Sequence, residues 1–372
     1  TYCTNYILIK NNQNERYYLL DIFRGIAAIC VVLQHYQHFF FIEPGIVASN
    51  FIYTEQPFFN IISPFYKFGS VAVQFFFILS GFIFFAIYRE KIFNNKISFK
   101  RFFILRISRL YPLHLLTLIL ILILQKIFLI FYSEYYVYPD NSLINFILHF
   151  FLIQEWGFNN LFNFEILAGF NHPSWSISVE IFAYISFFVI CLFYAKDFMQ
   201  TSVILILIFF IYIFFHEILT SILLGIFLFY LGGLTYFLSQ KIIEILEKKK
   251  IIVVNIMVLF NILVFGRFLN EFFFDFQKSI SFLIGNRFMI LLFMIKFPLL
   301  IINLRIIQYF FKNLGKRFLI IGELSYTIYL IHFPLQIIFM IISKELINFN
   351  FNSQYFFHIL FCYSFYDIFL ST

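Results

Sequence analysis

Charged residues are scarce in this sequence. They make up 12% of the 372 residues, whereas a soluble protein carries roughly 25%. Hydrophobic residues make up 62%, and the mean hydropathy is +0.90. Apolar runs such as 111–132 and 218–239 are long enough to cross the hydrocarbon core of a membrane. Because these runs are continuous rather than alternating, they exclude a transmembrane barrel and predict an all-α, polytopic membrane protein.

Several reactive motifs are also missing. There is no phosphate-binding glycine-rich loop, no HExxH and no GxSxG, so ATP-driven transport and metalloprotease chemistry have no sequence support. The four cysteines are scattered and form no CxxC pair, which argues against disulfides and metal clusters. The net charge of +7 comes from basic residues near helix ends, so it does not indicate nucleic-acid binding.

Hydropathy predicts about ten transmembrane helices, which together form a single membrane domain over 1–372. The predicted spans are 21–42, 69–89, 111–132, 174–195, 201–215, 218–239, 251–267, 280–302, 318–343 and 354–370. If the N-terminus is cytoplasmic, the inner segments hold 19 Lys and Arg residues and the outer segments hold 4. Basic residues concentrate on the cytoplasmic side of membrane proteins, so both termini are expected there.

Polar residues interrupt the first span in an ordered way. Arg24 and His35 are eleven residues apart, which places both on one helical face about 16 Å apart along the axis. Asp21, one turn before Arg24, is placed to pair with it. Ionisable groups inside a membrane usually mark a functional site because burying them is costly. The alternative is structural: Arg24 reaches the membrane surface and His35 bonds a neighbouring helix.

Two arginines precede the third span. Arg106 and Arg109 are three residues apart on one helical face, ahead of an expected break at Tyr111–Pro112. Paired guanidinium groups are suited to phosphate oxygens. The alternative interpretation is an ordinary positively charged cytoplasmic flank.

Later spans carry further polar positions. Glu180 lies inside an otherwise apolar helix and would need a cationic or hydrogen-bonding partner. Near 318–343, Tyr326 and His332 belong to a polar stripe at helical spacing, in which His332 fits either a helix-packing or a site role. In the second span, Ser80 and Gly81 predict a notch for close helix packing.

Taken together, these segments resemble the acyltransferase family 3 membrane proteins, bacterial O-acyltransferases of cell-envelope glycans. LDIFRGIAAICVVLQHY resembles the first span of the family with its Arg-x10-His signature, and RFFILRISRLYPLH resembles its Arg-x-x-Arg segment. WSISVEIF is similar to a Trp-Ser-Leu-Ser-Val-Glu-Glu element, although Ile181 replaces the second acid. FFFILSGFI and LSYTIYLIHFP resemble its second and ninth spans.

The resemblance implies transfer of an acyl group, with acetyl as the expected group, from a cytoplasmic thioester donor such as acetyl-CoA or another acyl-CoA. The acceptor would be a hydroxyl of a cell-surface polysaccharide or lipopolysaccharide sugar, either free or lipid-linked, at the bacterial cytoplasmic membrane. His35 would act as general base or briefly carry the acyl group, and Arg24, Arg106 and Arg109 would hold the anionic donor. Glu180 would polarise His35 or bind the acceptor, with Asp21, Ser80, Tyr326 and His332 in support. No metal and no nucleic acid are implied.

Two other functions fit a ten-span protein with buried charges. One is a transporter or flippase of a lipid-linked saccharide, and the other is a non-catalytic assembly subunit. A flippase has no reason to combine the Arg-x10-His, Arg-x-x-Arg and Trp-Ser-x-Ser-Val-Glu motifs, so the sequence favours the acyltransferase.

Overall fold

The computed structural model describes residues 16–43, 46–47, 56–158, 169–193, 197–249, 261, 285–347 and 351. Within them the chain is almost entirely helical. In chain order its α-helices are α1 (Tyr18–His35), α2 (Phe59–Ile87), α3 (Arg89–Phe93), α4 (Phe99–Tyr132), α5 (Leu143–Phe150), α6 (Trp175–Phe193), α7 (Phe198–Lys248), α8 (Gly285–Phe310), α9 (Leu319–Glu323) and α10 (Ser325–Ile342). The shorter elements are 3-10 turns at Tyr36–Phe40, His172–Ser174 and Lys316–Phe318, a π-helical turn at Ser343–Ile347, and two antiparallel strands, β1 (Phe41–Glu43) and β2 (Ile46–Val47).

Six helices in the described part of the chain are long and apolar enough to cross a membrane. They are Tyr18–Phe40, Gly69–Ile87, Phe99–Tyr132, His172–Phe193, Ser221–Lys248 and Ser325–Leu346. The all-α, multi-pass fold is therefore confirmed. The count of ten spans is not confirmed, and the cytoplasmic termini remain a prediction. The predicted spans 251–267 and 354–370 lie outside the described residues, apart from the single residue 261.

The break expected at Tyr111–Pro112, at the start of the third span, is wrong. Helix α4 begins at Phe99 rather than near 111, and it continues through Pro112 without the expected break. Its N-terminus is fixed by the Ser98 side chain, which accepts a hydrogen bond from the backbone N–H of Arg101 (3.4 Å). Proline removes only one backbone donor, and membrane helices tolerate that loss. Arg106 and Arg109 are therefore held in the same helix as the span.

The predicted division between spans 201–215 and 218–239 is also wrong, because α7 is one continuous helix of 51 residues. The two intervening residues, His216 and Glu217, and the three that follow them (HEILT) include no proline or glycine to end a helix. At 1.5 Å per residue α7 is roughly 75 Å long, which exceeds the hydrocarbon thickness of about 30 Å.

Helix α5 lies within a short apolar segment of the chain, residues 142–156. Its eight residues span about 12 Å, too short to cross a bilayer. Leu143 is 73% exposed, whereas His149 is buried. Because burial disfavours the charged imidazole, the pKa of His149 falls to about 3, and this ring is neutral.

Helices α1 and α10 run in parallel, because contacts that lie further along α1 also lie further along α10. Arg24 bonds Ser325 at one level, and His35 bonds His332 further along both helices. Glycines allow the close approach between α1 and α9: a side chain at Gly25 would overlap Ile321, and one at Gly322 would overlap the backbone of Asp21. The register between the two candidate site segments is thus fixed by backbone contact.

The notch predicted in the second span is confirmed for Gly81. A side chain at Gly81 would overlap the carbonyl group of Phe229 on α7, and one at Gly232 would overlap the carbonyl group of Ile78 on α2. This reciprocal contact brings the two backbones together, as small residues do in membrane helix pairs. Ser80 has a different role, described below.

Candidate active site

A cavity lies among α1, α2, α4, α6 and α10. Its empty volume is about 990 Å³, which includes the space at its opening to solvent. Most of its wall is apolar. The polar and charged side chains that line it are Arg24, Ser80, Arg106, Arg109, Ser176, Glu180, Tyr184, Ser325, Tyr326 and Tyr329. Six of the residues predicted from the sequence are among them, drawn from five helices.

Arg24 is tied to the start of α10. Its Nε donates to Ser325 Oγ (2.9 Å) and its Nη2 donates to the carbonyl oxygen of Gly322 (2.6 Å). The Asp21 carboxylate lies 3.4 Å from the same Nη2, one turn earlier on α1. The predicted Asp21–Arg24 pair therefore forms. It orients a guanidinium that also faces the cavity, so the structural and functional interpretations of Arg24 are compatible.

The two arginines of α4 differ in how firmly they are held. Arg106 donates to the Tyr88 hydroxyl (2.6 Å) and lies over the Tyr88 ring, 4.9 Å from its centroid. Arg109 is exposed, and the described residues give its guanidinium no hydrogen-bond or ion-pair partner. Tyr326 OH donates to the carbonyl oxygen of Leu110 (2.5 Å), which joins α10 to α4 beside Arg109. The cavity therefore presents one anchored and one available guanidinium from this motif.

Glu180 has hydroxyl partners. Its Oε1 accepts hydrogen bonds from Ser80 Oγ (2.9 Å) and from the Tyr184 hydroxyl. Ser80 is thereby a partner of Glu180 rather than only a packing residue. Glu180 lines the same cavity as the three arginines, and its hydrogen bonds in the described part of the chain go to Ser80 and Tyr184 rather than to His35. The described residues thus show no hydrogen bond through which Glu180 would polarise His35 directly, and the role of Glu180 remains a prediction.

His35 pairs instead with His332. His35 Nδ1 lies 2.6 Å from His332 Nε2, and the two rings are stacked with centroids 4.9 Å apart. His332 is fully buried, and its Nδ1 lies 2.7 Å from the carbonyl oxygen of Tyr329. Because Tyr329 lines the cavity, the histidine pair lies about one helical turn beyond the cavity wall.

A polar wall separates the cavity from the histidines. The Tyr329 hydroxyl donates to the carbonyl oxygen of Pro173 (2.6 Å) and lies 2.8 Å from Ser176 Oγ. Asn171 Nδ2 donates to the carbonyl oxygen of Leu330 (3.2 Å). Pro334 has no N–H for that carbonyl, so the amide of Asn171 takes the place of the missing helical donor.

Two residues of the histidine region were not predicted. His38 stacks on His35 with centroids 4.9 Å apart, and its Nδ1 lies 2.9 Å from Gln336 Oε1. Gln336 Nε2 in turn donates to the carbonyl oxygen of His35 (2.9 Å). A spacing signal was present: His38 follows His35 by three residues, and Gln336 follows His332 by four, so each shares a helical face with its predecessor.

His172 lies near the same region, with its ring 4.9 Å from that of Tyr138, which in turn packs on Phe333. In the described part of the chain, no group of three or more His, Cys, Asp or Glu residues is arranged to hold a metal ion. The arrangement therefore offers guanidinium donors for an anion, a carboxylate with hydroxyl partners, and a hydrogen-bonded imidazole.

Comparison with known proteins points to the same chemistry. A family model described as an acyltransferase domain, Acyl_transf_3, matches residues 17–370. "Protein 2 in picA locus" from Rhizobium radiobacter is 35% identical over 112 residues, which cover 30% of this chain and 47% of the relative. "Acyltransferase MdmB" from Streptomyces mycarofaciens is 35% identical over 120 residues, covering 32% of this chain and 27% of the relative. The chain thus spans less than half the length of either relative. No solved structure matches it.

Proposed function

Because the chain belongs to the acyltransferase family 3 membrane proteins, we propose that it is an O-acyltransferase. It moves an acetyl group from acetyl-CoA, or a longer acyl group from another acyl-CoA, to a hydroxyl of a cell-surface polysaccharide or lipopolysaccharide sugar. The main support for this proposal is that the two parallel helices α1 and α10 both line the arginine-containing cavity and both contribute a histidine to the His35–His332 pair. We place the chain in the bacterial cytoplasmic membrane.

The donor occupies the cavity in this proposal. Coenzyme A carries phosphates at one end, and planar guanidinium groups bind phosphate oxygens through paired hydrogen bonds. Arg109 is available for this contact, while Arg24 and Arg106 are already oriented by their protein partners. The apolar wall suits the uncharged arm of the donor. The Glu180 carboxylate, held by Ser80 and Tyr184, accepts hydrogen bonds from the amide N–H groups of that arm.

His35 is the base in this proposal. A sugar hydroxyl is a poor nucleophile at neutral pH, and a neutral imidazole is suited to remove its proton. His35 is only half-buried, whereas His38 and His332 are buried, so it is the imidazole that an acceptor reaches. The thioester must then extend past Tyr329, from the cavity toward His35.

The test is His35→Ala in the full chain, with mass spectrometry of envelope glycans from cells that express each variant. We expect acylation to fall at least about 100-fold, the usual contribution of a general base. Cys30→Ala is the matched control, because Cys30 lies on α1 outside the cavity lining. Native acylation by a stably expressed His35→Ala protein would refute the proposal. Loss of whole saccharide repeats would favour transport instead.

A further inference from the structure

The proton positions in the histidine pair follow from its partners. We propose that His332 is a positioning residue that holds His35 in the tautomer with its lone pair on Nε2. This inference rests on the proposed function of His35 as base. The tautomer of an imidazole is set by what its other nitrogen contacts, and here the contacts form a chain from a backbone carbonyl to His35.

This series of hydrogen bonds begins at the carbonyl oxygen of Tyr329. A carbonyl oxygen only accepts hydrogen bonds, so His332 Nδ1, 2.7 Å away, must carry a proton. A neutral His332 then has its lone pair on Nε2. His35 Nδ1 lies 2.6 Å from that lone pair and must be its donor. With the proton of His35 on Nδ1, the lone pair of His35 is on Nε2.

The opposite proton order requires a charged His332 that donates from both nitrogens. The hydrogen-bond partners that the described residues give this buried ring are His35 and the backbone carbonyl oxygens of Tyr329 and Ile328, and none of them is a carboxylate. An uncompensated cation in an apolar interior is strongly disfavoured. The titratable groups that face His35 from the packed elements are His38, His172 and His332, and none of them is acidic.

The geometry of the other nitrogen agrees with this assignment. The described residues give His35 Nε2 no hydrogen-bond partner, so its lone pair is available to an acceptor hydroxyl. Gln336 and His38 hold the end of α1 from the other side, since Gln336 donates to the carbonyl oxygen of His35. The ring is thereby fixed both through its backbone and through Nδ1.

The step balances with these groups alone. His35 Nε2 takes the proton of the acceptor hydroxyl while the hydroxyl oxygen forms a bond to the thioester carbonyl carbon. The carbon–sulfur bond then breaks, the sulfur leaves with its electron pair, and the proton passes from Nε2 to that thiolate. During the step the His35 Nδ1–H remains bonded to His332 Nε2, which stabilises the transient imidazolium.

The direct test is nitrogen-15 NMR of histidine-labelled full-length protein in lipid nanodiscs, with His35 assigned by its absence in His35→Gln. For His35 in the wild-type protein we expect a proton on Nδ1 and none on Nε2. A proton on Nε2 and none on Nδ1 would overturn the inference. This readout does not depend on activity. Full activity of His35→Gln would instead refute the proposed function and leave the tautomer measurement valid.

Two substitutions at His332 test the consequence for catalysis. His332→Leu removes the acceptor, and we expect kcat to fall about 10- to 100-fold with the KM for acetyl-CoA unchanged, because His332 does not line the cavity. His332→Gln retains an acceptor oxygen at the position of Nε2, so its kcat is expected to exceed that of the leucine variant by about tenfold. Equal kcat values for the two variants, or a change confined to KM, would overturn the positioning role.

Discussion

At the scale of single residues, the arginines of the cavity divide by their partners. Arg24 donates hydrogen bonds to Ser325 and Gly322. Arg106 donates one to the hydroxyl of Tyr88. Arg109 has no such partner in the described part of the chain, although it lines the same cavity. A guanidinium with free donors contributes its full hydrogen-bonding capacity to a ligand, so Arg109 is the best single probe of donor binding.

Arg109→Ala should raise the KM for acetyl-CoA with little change in kcat. A hydrogen bond to a charged group contributes about 1.5–3 kcal/mol, which corresponds to a roughly 10- to 100-fold weaker donor interaction. The measurement is steady-state acetyl transfer by the purified protein at varied acetyl-CoA concentration. Arg101→Ala is the control, because Arg101 is exposed on the same helix but does not line the cavity. Equal KM values for the two variants would contradict donor binding by Arg109.

Much of the site was predictable because costly residues in an apolar sequence stand out. Arg24, Arg106, Arg109 and Glu180 are charges inside or beside membrane helices, and the cavity brings all four together. The partner of His35 was not predictable from α1 alone. Which of several polar residues meets His35 depends on the register of α10 against α1, and that register is set by backbone contacts of glycines distant in sequence.

At the scale of helices, the pairing of α2 with α7 relies on the reciprocal glycines Gly81 and Gly232. Gly81→Val should lower the apparent Tm by several degrees, because the new side chain must push against the carbonyl of Phe229, and overpacking typically costs 1–3 kcal/mol or more. Thermal unfolding in detergent measures this. Ser70→Val is the matched control, since Ser70 is exposed on the same helix. Equal Tm values for both variants would show that the backbones can separate without cost.

The errors in helix boundaries have a common physical origin. Hydropathy locates apolar stretches but does not detect a helix that extends beyond them. Helix α4 starts twelve residues before its apolar run, at the N-cap Ser98, and its first turns carry basic residues. Helix α7 continues through HEILT because nothing in that segment ends a helix. Cap and breaker residues, rather than hydropathy, define where these helices begin and end.

At the scale of the whole molecule, the charge distribution makes a prediction about orientation. The segment before α4 is rich in Lys and Arg, whereas the segment 133–173 after α4 contains neither. Basic loops stay cytoplasmic, so Lys96 should face the cytoplasm and Leu143 the outside, with α4 crossing between them. Arg106 and Arg109 lie in the N-terminal half of α4, the half nearer to Lys96. The donor cavity would then lie toward the side of the membrane that contains acyl-CoA.

Cysteine accessibility tests this orientation. Lys96→Cys and Leu143→Cys are placed singly in a background without the four native cysteines, and intact cells are treated with a membrane-impermeant maleimide. Both sites are exposed, and Leu143 is 73% exposed, so no other described part of the protein covers either site. We expect labelling of Leu143→Cys in intact cells and of Lys96→Cys only after permeabilisation. Labelling of both sites in intact cells would place both ends of α4 on the outside. Helix α4 would then not separate a cytoplasmic donor from an external acceptor, and the predicted orientation would be wrong.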